Sequence, residues 1–115
     1  MTAVRSLTTV ADEQLAAARN STSGRAAHTV HGGQGVALRQ TVLALLGGHA
    51  LGEHDSPGEA TLQVLTGRVR LSAGEDHWHA AAGDHLAIPP VRHDLAALED
   101  SVVLLTVVAG SRTAE

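Results

Sequence analysis

From Arg25 onward the chain alternates apolar and polar positions in short runs, the pattern of β-strands with one buried face. The clearest case joins Ala60–Leu65 to Arg68–Ser72 through Thr66-Gly67 and reads as a β-hairpin. In its first strand Ala60, Leu62 and Val64 face one way, and Thr61, Gln63 and Leu65 the other. In the second, Arg68, Arg70 and Ser72 alternate with Val69 and Leu71. The apolar, β-branched stretch Val36–Leu46, closed by Gly47-Gly48, predicts a longer strand, and Gly32-Gly33-Gln34-Gly35 a tight turn before it. Further short strands fit His77–Ala81, His85–Ile88, Asp94–Leu98 and Val102–Val108, with turns at Ala73–Glu75, Ala82–Asp84 and Glu99-Asp100. Many short strands at near-regular spacing mean a sandwich or a barrel.

The N-terminal part follows a different rule. The first eight residues read as a loose tail, and Thr9 to Asp12 gives a start resembling a capping box. The alanine-rich run Val10–Asn20 then predicts one short helix, ended by the polar linker Asn20–Gly24. Its apolar face is thin, so it must lie against other elements to persist. The expected organisation is a tail and short helix over residues 1–24, followed by a single all-β domain over 25–115.

Composition narrows the chemistry. The 115 residues contain no cysteine, which removes disulfides, thiolate metal sites and cysteine nucleophiles together. No apolar stretch approaches the ~20 residues of a membrane helix, and Met1–Leu7 lacks the apolar core of a signal peptide. A cytoplasmic protein is expected. The net charge of −4 sets 12 acidic residues against 8 arginines, with no lysine, so nothing suggests a nucleic-acid partner. Trp78 is the only aromatic residue, which argues against stacking on bases or sugars. Arginine without lysine, amid abundant alanine, glycine and valine, suggests a GC-rich bacterial coding sequence. Neither a G-x-S-x-G elbow nor a phosphate-binding glycine fingerprint occurs.

The eight histidines hold the remaining chemical interest. Gly48, His54, Ser56, Ala60 and Gly67 fall at the spacings of a glycine, a His-x-His pair, a glutamate and a closing glycine, with Pro57-Gly58-Glu59 supplying a turn. A second set, Gly83, Pro89 and His93, follows in order, one residue short in its loop and without the usual glycine and asparagine. In this arrangement, covering about Leu38 to Val108, the chain resembles the cupin superfamily of small β-barrels. The resemblance implies a cupin or jelly-roll β-barrel carrying one short N-terminal helix.

Cupin metals are usually held by three histidines and one glutamate, which would make His54 and His93 the ligands of a divalent transition metal. Here the second histidine of the pair is Ser56 and the carboxylate position is Ala60. Two imidazoles alone fall short of the three protein ligands usual for catalytic zinc. The resemblance therefore implies a pocket lined by His54, Ser56, Ala60, Leu62 and His93, binding a small molecule without established catalysis. Two alternatives stand beside it: a metal-dependent oxygenase or isomerase using His54 and His93, and a structural homodimer. Glu59, His49 and His85 are the substitutes that could complete a metal site, although strand parity points each of them away. His77 and His79 share a face around Trp78 and read as exposed strand positions. Of Arg39 and Gln40, one should point inward; a buried arginine would call for an anionic ligand.

Overall fold

The computed structural model describes residues 3–56 and 58–108. A helix, α1 (Leu7–Arg19), precedes eight strands: β1 (Arg25–His31), β2 (Leu38–Leu45), β3 (Glu59–Thr66), β4 (Arg68–Ala73), β5 (Asp76–Ala81), β6 (His85–Ala87), β7 (Asp94–Ala97) and β8 (Ser101–Val108). They form a five-stranded sheet in the order β1-β2-β8-β3-β6 and a three-stranded sheet in the order β5-β4-β7. Residues 48–54 run along β7 and are tied to it by Gly48 N–H to Ala97 O, Leu51 N–H to Leu95 O and His54 N–H to His93 O. This segment extends the smaller sheet beyond β7. Pro57 and the last seven residues of the expected 25–115 domain lie outside the described residues.

The helix starts earlier than its sequence suggests. Ser6 is the cap, its hydroxyl accepting from Thr9 N–H at 3.2 Å, where Thr9 was the expected cap and Val10 the first helical residue. Leu7 packs against the cluster formed by Val10, Ala11, Leu15 and Ala18 with Val42, Ala44 and Val102, so the added turn gains apolar contact. That cluster covers the outer face of the larger sheet. At the other end of α1, Arg19 pairs with Asp100 at 3.2 Å, and the same carboxylate accepts from Gly47 N–H at 2.9 Å.

Those two contacts lower the Asp100 pKa, the Gly47 N–H first and Arg19 second. The sign follows from linkage: a depressed carboxylate stabilises the fold above its ordinary titration range and loses that contribution as pH falls through the lowered value. Asp100→Asn is therefore expected to lower the midpoint at neutral pH and to converge with the parent in acid, flattening the acid limb below about pH 4. A variant curve parallel to the parent across the acid limb would refute this assignment.

The expected hairpin over 60–72 does not form. Strands β3 and β4 belong to different sheets, and both edges of β3 are taken, by β8 and by β6. The alternation itself is kept: Ala60, Leu62 and Val64 on β3 and Val69, Leu71 and Ala73 on β4 are all buried. With both buried faces turned into one core, the chain must change sheets at Thr66-Gly67 instead of folding back within one. Gly67 makes this corner possible. Its φ is +85°, and a Cβ there would overlap Ser101 Oγ and Asp100 O. Ser101, 1% exposed, accepts from Arg68 N–H through its hydroxyl at 3.0 Å, satisfying a backbone donor where the ladder breaks.

Between the sheets lies the main core: Leu62, Val64, Val69, Leu71, Leu95 and Val103 with Ala60, Ala80 and Ile88. Each large aliphatic side chain buried there contributes about 1.5–3 kcal/mol. Among the described residues, no helix is long and apolar enough to cross a membrane.

Candidate functional site

At one end of the core the segment 48–54 meets the residue just before β7. His54 N–H donates to His93 O at 2.9 Å and His93 N–H returns a bond to His54 O at 3.0 Å. Residues facing each other in such a reciprocal antiparallel bridge send their side chains to the same side of the sheet. The two imidazoles consequently lie with ring centroids 4.5 Å apart, their planes inclined by 65°. His93 is 3% exposed, whereas His54 faces solvent at the rim.

Both rings are held the same way. His54 Nδ1 lies 3.0 Å from Gly52 O, and His93 Nδ1 lies 2.8 Å from Val91 O. A carbonyl oxygen can only accept, so each Nδ1 carries a proton, and the neutral tautomer that this selects has its lone pair on Nε2. The supporting backbone is pinned in turn. Asp94 Oδ1 accepts from Gly52 N–H at 2.8 Å, and Arg92 reaches Glu53 and Asp55 at 3.4 and 3.2 Å. These last pairs are exposed, and contribute orientation more than stability.

The imidazoles close one end of a cavity of about 40 Å³. The larger sheet contributes Leu43, Leu62, Val103 and Leu105 to its wall. Leu71 and Leu95 come from the smaller sheet, with Leu51 and Ile88 from the flanking segments. Of the pocket residues expected from sequence, His54, Leu62 and His93 are in this wall. Ser56 and Ala60 are not: Ser56 donates to Gly58 O at 3.1 Å within its own turn, and Ala60 is buried in the core. The sequence reading missed the other seven aliphatic residues. For Leu71 the signal was present, since it already stood on the inward parity of its strand.

The remaining candidates are placed elsewhere. His49 packs its ring against Gly24, whose Cβ would come within 2.6 Å of it. Glu59 and His85 are exposed on the large sheet, on the parity opposite Ala60 and Leu86. His77 and His79 are exposed on β5, with His77 Nδ1 2.8 Å from Ser72 Oγ. The question of Arg39 and Gln40 resolves by register. Gln40 faces Thr106 and bonds its hydroxyl at 3.2 Å; Arg39 takes the inward parity opposite Val107 but stays exposed, so it requires no anion.

Among the described residues, no group of three His, Cys, Asp or Glu side chains is placed to hold a metal ion. Two imidazoles, a serine tied into its own turn and an alanine methyl do not make the donor set of a resident catalytic metal. The residues present do not fit that group.

A pair of facing sheets with a small chamber opening at one end defines a jelly-roll protein with an internal pocket. The architecture is that of the cupin barrels. A cupin 2 conserved barrel domain protein from Salinispora arenicola is similar over 96% of this chain and 92% of its own, with TM-score 0.69 and 18% identity. A conserved protein of unknown function from Streptococcus pyogenes is 29% identical over 77% of each chain, with TM-score 0.68. An RmlC-like cupin protein from Desulfovibrio desulfuricans matches 73% of this chain and 81% of its own at 24% identity and TM-score 0.63. No protein-family model and no curated protein matches the sequence. The chain thus has the cupin fold.

Proposed function

We propose that this protein binds a small molecule in the chamber between its sheets, with His54 and His93 at the polar end and no resident metal. The observation that carries this reading is the imidazole pair: it lies on an aliphatic chamber, and among the described residues no third ligating side chain joins it. The size of the chamber limits the occupant. At roughly 10–15 Å³ per water-sized group, 40 Å³ admits a compact head or a very small whole molecule.

Elemental analysis of protein made without a polyhistidine tag is the deciding measurement. Metal is expected well below one equivalent per chain, unchanged in His54→Ala and His93→Ala. Stoichiometric metal lost in both variants would establish the metal-dependent enzyme instead.

A second reading, association of two copies, is favoured by β1. Among the described residues this seven-residue strand pairs only with β2, and its Arg25, Ala27, His28, Thr29 and His31 are exposed. An unpaired edge of that length is a template for another strand. Sedimentation should then give a dimer that Thr29→Pro, which places a proline on that edge strand, converts to monomer. A monomeric parent protein would end this reading.

A further inference from the structure

The chamber's polar end has a definite hydrogen-bonding sense. His93 is more than nine-tenths buried, lines the cavity and commits its Nδ1 proton to Val91 O. Its Nε2 has no partner among the described residues, and the same holds for Nε2 of His54. The rest of the wall is eight aliphatic side chains. Among the described residues the wall therefore offers two acceptors and no free side-chain donor. An Nε2 lone pair gains a hydrogen bond only from a group that donates to it, and gains none from a second acceptor.

From this we infer that the chamber selects a small neutral hydroxyl or N–H compound with an aliphatic body, and rejects carbonyl compounds and carboxylates of the same shape. The inference rests on the proposed binding reading and sharpens it. A carbonyl or carboxylate oxygen would set its lone pairs against those of Nε2. An ammonium group would donate, but its charge would be stripped of water among aliphatic side chains, at a cost that far exceeds one hydrogen bond.

Three probes of four heavy atoms and one branched shape isolate the effect: 2-propanol, acetone and acetate. Each is titrated at pH 8.5 into protein carrying labelled histidine rings and labelled Leu, Ile and Val methyl groups. Methyl shifts of Ile88, Leu62 and Val103 report occupation of the chamber; the Nε2 resonances report donation. The expected result is saturable 2-propanol binding about tenfold tighter than acetone, with acetate weaker still. Both histidines should show Nδ1 protonated, and His54→Ala should reduce the preference for 2-propanol over acetone.

Equal methyl shifts from 2-propanol and acetone, with no distinct response at Nε2, would overturn the donor preference while leaving the binding reading intact. Proton-bearing Nε2 in both rings would overturn it on its premise. If no probe moves the methyl groups, both the preference and the binding reading fail.

Discussion

Gly67→Ala is expected to be the most damaging single-methyl change in the chain, costing about 3 kcal/mol or more. Two separate terms add. An alanine at φ +85° carries the strain of a left-handed conformation, and its Cβ would overlap Ser101 Oγ and Asp100 O while lying 2.8 Å from Ser101 Cα. Backbone atoms at the β7–β8 turn cannot step aside as a flexible side chain would. For a domain of this size such a loss lowers the melting midpoint by roughly 12–25 °C. Gly74 provides the control, because its φ is +60° but its Cβ would meet open space. Gly74→Ala should cost about 1 kcal/mol, the conformational term alone. Equal losses in the two variants, measured by denaturant unfolding, would show that the corner is not tightly packed.

The second large effect concerns the chamber. Leu62 is 2% exposed, belongs to the main core and forms part of the cavity wall. Leu62→Ala should destabilise the fold by about 3 kcal/mol, through lost transfer energy and the added void. The void also joins space that already exists. The variant should therefore acquire affinity for a ring the size of benzene, which apolar engineered cavities of ~150 Å³ accept. A benzene-dependent rise in melting temperature, seen in the variant and absent from the parent, checks this. A variant that loses stability without gaining a benzene response would mean that the core collapses into the gap, and that the chamber is not a standing feature of the fold.

These two predictions lie on opposite sides of what the sequence makes legible. The inward parity of Leu62 and Leu71 was readable directly, because side chains on a strand alternate regardless of which strand lies alongside. The role of Gly67 was not. A two-residue link between alternating strands looks the same in a sheet-changing corner as in a hairpin, and only Ser101 and Asp100, more than thirty positions away, distinguish them. The helix start was misplaced for a related reason. Ser6 and Leu7 are weak signals locally, and they become a cap and an anchor only because a sheet face lies beneath them.

The candidate site divides in the same way. His54 and His93 were singled out by motif spacing, as was the absence of the usual ligands at Ser56 and Ala60. Spacing did not reveal that the two rings would share a tautomer, since that depends on the carbonyls of Gly52 and Val91. It also placed Ser56 and Ala60 in the pocket, whereas the turn at Gly58 and the packing of β3 keep them out of the cavity wall.

By itself, then, the sequence determined the alternation of buried and exposed positions, seven of the eight strands (all but β1) and the identity of the two histidines, all properties carried by neighbouring residues. Tertiary structure alone decided which strands share a sheet, where the chain turns from one sheet to the other, and which groups wall the chamber. The physical reason is that strand pairing and side-chain packing join residues distant in the chain, and no local pattern encodes the partner across the gap.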